Sequence, residues 1–199
     1  DYVQYDHAFL NLNLTNTTPE HVKKVIKSLA PKLSCDVQGI STKMVKFVGN
    51  AISLPLSHIF NLSLSTGKFP TSLKQCRVIP IFKSGDSDEC DNYRPISLLS
   101  SISKVLEKIV AEKLTNHLLS NDLLYPHQYG FLPNRSTEQN LLQIVNYISE
   151  AINNNMYCVG VFLDLRKAFD VCSHEILLKK LKKMGVVGIA HEWFKSYLE

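Results

Sequence analysis

An aspartate near the end of a run of apolar residues is the first place in this sequence where chemistry has to be explained. Tyr157 to Leu165 is almost wholly apolar, with Val159, Val161, Phe162 and Leu163, and reads as a strand buried on both faces; Asp164 interrupts it. A carboxylate in such a strand is costly unless it is paired, hydrogen-bonded or bound to a metal. Phe162 through Asp170 sets that carboxylate at a strand end, followed by a short basic turn, Arg166 and Lys167, and an aromatic, Phe169. Two-metal phosphoryl transfer needs carboxylates on rigid neighbouring strands to hold divalent ions about 4 Å apart. Asp164 has the position of one such group. On the residues alone, an aspartate satisfied by backbone N–H groups, by Arg166 or by Lys167 accounts for it as well, and Phe169 reads as core.

The elements that would position these residues follow from periodicity and stop signals. Thr18-Pro19-Glu20 supplies an N-cap with Pro at the first helical position, and Val22, Val25, Ile26 and Leu29 recur at helical spacing up to Pro31. A second helical region runs from about Ser41, bends or breaks near Pro55, and stops at Gly67. Lys74 to Phe82 and Tyr93 to Leu98 read as two short strands joined through a polar turn, a hairpin in which Pro80 marks an edge or a bulge. Ser101 or Ser103 caps the long helix that follows, with Ile102, Val105, Leu106, Ile109, Val110 and Leu114 as its apolar stripe. After a loop from Tyr125 to Arg135, Ser136-Thr137-Glu138 opens a helix with Leu141, Leu142, Ile144, Val145, Ile148 and Ile152 on its inner face. Helices over His174 to Met184 and Ile189 to Leu198 close the chain, which reads as one α+β unit of few strands and many helices. In the first of them Lys179, Lys180, Lys182 and Lys183 form a solvated face opposite Leu177, Leu178 and Leu181.

Bulk properties narrow the function classes. The 199 residues are 45% hydrophobic with a formal charge of +4, enough apolar surface for a core and too mild a charge for a tail-driven nucleic-acid binder. The basic excess lies in residues 1–85, with ten basic and four acidic side chains, whereas residues 86–199 hold twelve and fourteen. Five cysteines without CxxC spacing indicate neither a disulfide scaffold nor a zinc site. His58, His117 and His191 have no ligand-spaced partners. With no signal pattern and no membrane span, the chain is expected in the cytoplasm or nucleus. A start at Asp1 and an end inside the amphipathic run Trp193 to Glu199 read as cuts.

Several motifs then come in one order. Leu62-Ser63-Leu64-Ser65-Thr66-Gly67-Lys68-Phe69-Pro70 leads into Val78-Ile79-Pro80-Ile81-Phe82-Lys83-Ser84-Gly85-Asp86. Tyr93-Arg94-Pro95-Ile96-Ser97-Leu98-Leu99 follows, then His127 to Thr137, then Phe162 to Asp170 with His174-Glu175-Ile176-Leu177-Leu178. In this order the chain resembles the reverse transcriptases of non-LTR retrotransposons, of the jockey type, from Glu20 to Tyr197.

That resemblance implies the fingers and the first part of the palm of a right-hand polymerase: an N-terminal helical extension over 1–73, fingers over 74–156 and the start of the palm over 157–199. It implies RNA-directed DNA polymerisation with two Mg²⁺ ions in the complete enzyme, and an RNA template, a DNA primer and dNTPs as partners. Asp164 would be the first metal-binding aspartate and the Leu165 carbonyl a further metal ligand. Phe169 would be the gate beneath the incoming sugar. Lys83 and Arg94 would hold the triphosphate, a role that suits the always-charged planar fork of arginine, and Gln128 and Arg135 would lie near template or nucleotide. Without the resemblance, Lys83 belongs to a charged turn and Arg94 to the surface or to a pair with Asp91. Two departures stand out: Ser34-Cys35-Asp36-Val37-Gln38-Gly39 replaces the family's Ser-Gly-Pro-Asp-Gly type of turn, and the later palm motifs and the thumb are not in these 199 residues. The 199-residue chain is therefore expected to be inactive alone; a non-catalytic nucleic-acid-binding remnant of a transposable element is the alternative.

Overall fold

A computed structural model describes residues 11–165 and 167–199. Helices dominate. They are α1 (Pro19–Ser28), α2 (Thr42–Phe47), α3 (Gly49–Thr66), α4 (Ser101–Ser120), α5 (Thr137–Asn153), α6 (His174–Lys183) and α7 (Gly188–Leu198), with one hairpin of β1 (Cys76–Phe82) and β2 (Tyr93–Leu99). The chain divides into two compact units: residues up to Asn121 together with His174–Glu199, and Asp122–Ser173.

The first unit is built around a core drawn mainly from helices, with Leu12, Leu14, Phe69 and Val186 added from the segments outside them. Thr18 caps α1 by accepting the His21 N–H, Pro19 sits where its missing donor costs nothing, and Val22, Val25 and Ile26 are buried along one face. Phe60 and Leu64 from α3, Val105, Leu106 and Ile109 from α4, and Trp193 from α7 meet them. Burying each such side chain contributes roughly 1.5–3 kcal/mol. Trp193 donates its indole N–H to Ser63 Oγ at 2.9 Å, which leaves no orphan donor in the core, and takes Phe69 edge-on and Tyr197 stacked at 5.6 Å. Outside the core, His21 bridges Thr17 Oγ1 at 3.0 Å and Glu112 Oε2 at 2.9 Å, tying α1 to α4.

Helical boundaries differ from expectation at two places. The break in the second helical region falls at Val48, between α2 and α3, while Pro55 lies inside α3. A proline in the seventh position forfeits only one intrahelical bond near the N-terminus, and flanking packing through Ser53, Leu56 and Ser57 holds the helix together. The cap of α4 is Ser100, not Ser101 or Ser103 as expected. At the far end of α3 Gly67 adopts φ +67 as expected for a stop, with Ile189 O 3.1 Å and Glu192 Cβ 3.2 Å from where a Cβ would stand.

The hairpin forms as expected, in the register Cys76↔Leu99 through Phe82↔Tyr93, with Pro80 opposite Pro95. It packs on no helix extensively, and β1 is exposed throughout.

In the second unit, Ser136 and Gln139 form a reciprocal capping box at the start of α5. Two expectations fail there. Tyr157–Leu165 joins no strand and is exposed, Val159 at 85% and Leu163 at 92%. A strand exists only through a partner's hydrogen bonds, and the only sheet among the described residues is β1–β2. Likewise the apolar stripe of α5 is in place but none of its residues is buried, because amphipathy marks a face that can be covered without supplying the cover. Leu123 is the one buried side chain among the described residues of this unit.

Candidate functional site

Lys83 and Arg94 belong to the first unit, at the outer end of the hairpin. Lys83 follows the last residue of β1 and donates its backbone N–H to Asn92 O at 2.8 Å, which closes the ladder. The turn beyond it is built by side chains: Gly85 at φ +95, Asn92 Nδ2 donating to Asp86 O at 2.7 Å, and Tyr93 OH donating to Ser87 O at 2.9 Å. Arg94 stands opposite Ile81, so the pleat sets Lys83 and Arg94 on the same face as diagonal neighbours, about 7–8 Å apart along the backbone. Both are exposed, and neither forms a salt bridge among the described residues. Two cations so spaced suit an extended polyanion.

Gln128, Arg135, Asp164, Leu165 and Phe169 belong to the second unit. Arg135 donates to Pro126 O at 2.7 Å and lies over the Tyr129 ring at 5.2 Å, a cation–π contact that folds the loop before α5 on itself. Gln128 donates to Gly130 O within the same loop. Phe169 sits in a turn that begins at Lys167, φ +53, and its ring meets Phe131 edge-on at 6.1 Å. The structure thus brings the Phe169 turn against the loop that carries Gln128 and Arg135.

Asp164 is exposed, which corrects the expectation of a buried acid in a central strand; it shares the unpaired segment Tyr157–Leu165. Arg166, offered as a partner for it, lies outside the described residues. The Asp164 carboxylate and the Leu165 carbonyl are oxygen donors of the type Mg²⁺ takes, but an octahedral ion needs about six. No group of three or more His, Cys, Asp or Glu that could hold a metal occurs among the described residues. By themselves, these residues do not fit two ions.

Asp36 was missed as a functional candidate. It is the buried acid among the described residues, 6% exposed, and accepts from Gln38 N and Ile40 N through Oδ1 and from Ser101 N, the first residue of α4, through Oδ2 at 2.8 Å. An Asp two residues before Gln38 and three before a glycine is the pattern of an Asx turn, and that signal marks the local half of its bonding. On α6, Lys179 pairs with Glu175 at 2.6 Å while Leu181 is buried, as expected of a solvated basic face.

Residues 81–199 match the family model described as reverse transcriptase (RNA-dependent DNA polymerase). The chain belongs to this family. Over 181 residues it is 34% identical to the Drosophila melanogaster protein named "Probable RNA-directed DNA polymerase from transposon BS", covering 90% of this chain and 20% of that protein. It is 32% identical over 176 residues to the RNA-directed DNA polymerase from mobile element jockey of D. melanogaster, and 31% identical over 168 residues to that of D. funebris. These alignments cover 88% and 84% of this chain and 19% and 18% of those proteins. This reverse transcriptase chain spans about a fifth of the length of these relatives. Family membership thus agrees with the resemblance read from motif order, jockey type included. No helix among the described residues is long and apolar enough to cross a membrane.

Proposed function

We propose that this chain is the front part of an RNA-directed DNA polymerase of a non-LTR retrotransposon, with the helical extension in 1–73, fingers in 74–156 and the opening of the palm in 157–199. The observation that carries the reading is the pair Lys83 and Arg94, exposed on one face of a projecting hairpin within motifs of the family's order. In the reaction the primer 3′-oxygen attacks the α-phosphorus of a dNTP, a new P–O bond forms, and pyrophosphate leaves. Lys83 and Arg94 bind the triphosphate by charge-assisted hydrogen bonds, and Phe169 crowds a 2′-OH so that a deoxynucleotide is preferred. Gln128 and Arg135 line the template side. Asp164 and the Leu165 carbonyl would give part of the oxygen shell of a Mg²⁺ ion, other parts of the polymerase would give the rest, and the ion when bound would neutralise charge on the phosphates.

Primer extension on an RNA template by a full-length polymerase containing this chain tests the reading. Lys83→Ala and Arg94→Ala should each raise the KM for dNTP roughly tenfold to a hundredfold, the loss of one charge-assisted bond of roughly 1.5–3 kcal/mol. Asp164→Ala should abolish extension, and residues 1–199 alone should extend nothing. Unchanged extension by the Asp164→Ala enzyme would remove the metal role; robust extension by the isolated chain would remove the assignment to a front part.

A further inference from the structure

A buried carboxylate that forms no ion pair among the described residues is an expensive way to close a turn, and Asp36 does more than that. Its two oxygens face different parts of the first unit. Oδ1 holds the 36–40 turn through Gln38 N at 3.1 Å and Ile40 N at 2.9 Å, and Oδ2 takes Ser101 N at 2.8 Å. Ser101 Oγ returns a bond to Ile40 O at 3.2 Å, so turn and helix start are joined in both directions. Ser101 stands two residues beyond Leu99, where β2 ends. Among the described residues the hairpin that β2 completes packs extensively on no helix, with only Leu98 and Leu99 at its base half-buried in β2 below Tyr93, so its direction is set at this root.

Lever geometry makes the root matter. Arg94 is five residues from Leu99, about 17 Å at about 3.4 Å per residue. A tilt of roughly 10° at the root would carry Arg94 some 3 Å, several times the ~0.5 Å within which binding groups must be held.

We infer that Asp36 is a positioning residue for the incoming nucleotide: without touching it, Asp36 fixes the direction of the hairpin and thereby the placement of Lys83 and Arg94. This rests on the reading of those two cations as triphosphate ligands. A carboxylate is required because each oxygen must accept. In Asp36→Asn the amide has nearly the same shape but turns a donor toward one of the N–H groups.

Two measurements test this. Amide hydrogen exchange on the 199-residue chain should show protection at Ser101 and at the ladder-bonded amides of Arg94, Ile96 and Leu98 falling roughly tenfold to a hundredfold in Asp36→Asn, with α1 and α3 within about threefold of the parent. In the full-length polymerase the same substitution should raise the dNTP KM about tenfold while kcat changes less than about threefold. A structural defect alone would instead lower the active fraction, hence kcat, and leave KM in place. The paired variant Asp36→Asn with Ser101→Pro guards against simple misfolding: the amide oxygen still serves Gln38 N and Ile40 N, and proline suits the first helical position and removes the Ser101 N–H, yet the tie to the turn stays broken and KM should stay high. Unchanged hairpin protection in both variants, or a fall in kcat without a rise in KM, would overturn the inference. If Lys83→Ala and Arg94→Ala leave KM unmoved, the triphosphate reading is what has failed, and the exchange data alone then decide whether Asp36 orients the hairpin.

Discussion

The phenol of Tyr197 is half-buried against Trp193 and Phe69, and burial, helped by the Glu107 carboxylate, pushes its pKa above the usual 10. Folded and unfolded chains then differ in protons only above about pH 10, where the unfolded phenol ionises first; the stabilisation is intact below that pH and is lost as pH rises through the folded pKa. Lys113 has the opposite sign. Burial lowers its pKa, so the folded state binds fewer protons in the window below 10.5 and this contribution rises with pH. Tyr197→Phe should therefore flatten the fall of Tm above about pH 10, read by thermal denaturation across a pH series; an unaltered fall would place its origin elsewhere. The two aspartates show what single residues reveal in sequence. Asp164 stands out because its neighbours are apolar, but it is exposed. Asp36 sits in a turn of mixed composition, between Cys35 and Val37, and is buried; its decisive partner, Ser101, is 65 residues away and no local pattern announces it.

Elements were legible wherever the signal is local. Thr18-Pro19, the Ser136-Thr137-Glu138 opening and the Gly67 stop each act within a few residues, and α1, α5 and the end of α3 lie where those signals put them. Tyr157–Leu165 was misread because strand composition describes readiness to pair, while pairing requires a second segment in register. The hairpin had that segment, and Lys83 and Arg94 accordingly lie where the two apolar runs and the turn between them place them. Gly85 tests how its outer end is held. A Cβ there would stand 2.7 Å from Asn92 Nδ2 at a φ of +95, so Gly85→Ala must displace the side chain that donates to Asp86 O. Protection of the Lys83 amide, which bonds Asn92 O, should fall roughly tenfold while that of Arg77, at a bonded position of the ladder near the root, is retained. Equal loss at both ends would mean that the hairpin opens as one piece.

At the scale of the molecule, burial is divided unequally between the two units. The first has a continuous core from α1 to α7, whereas α5 has no buried residue and Leu123 is the one buried side chain among the described residues of 122–173. Local opening follows local burial. Brief digestion with trypsin should cut after Arg135 and Lys167 well before it cuts after the lysines of α4, with fragments identified by mass; earlier cleavage in α4 would contradict that order of stability. The subdomain boundaries proposed at 1–73, 74–156 and 157–199 lie at other positions than the limits of these compact units, which follow contacts within this chain. The pairing of Pro80 with Pro95 has a consequence for encounters between molecules. Neither residue has an N–H, so this pair sits at a wide position of the ladder, where main-chain groups turn outward. Each outer margin of the ribbon therefore lacks a donor at its middle, and a foreign strand approaching from either side meets a gap where its carbonyl would dock. Two imino acids facing each other thus discourage fibril-like stacking of an otherwise bare, apolar ribbon.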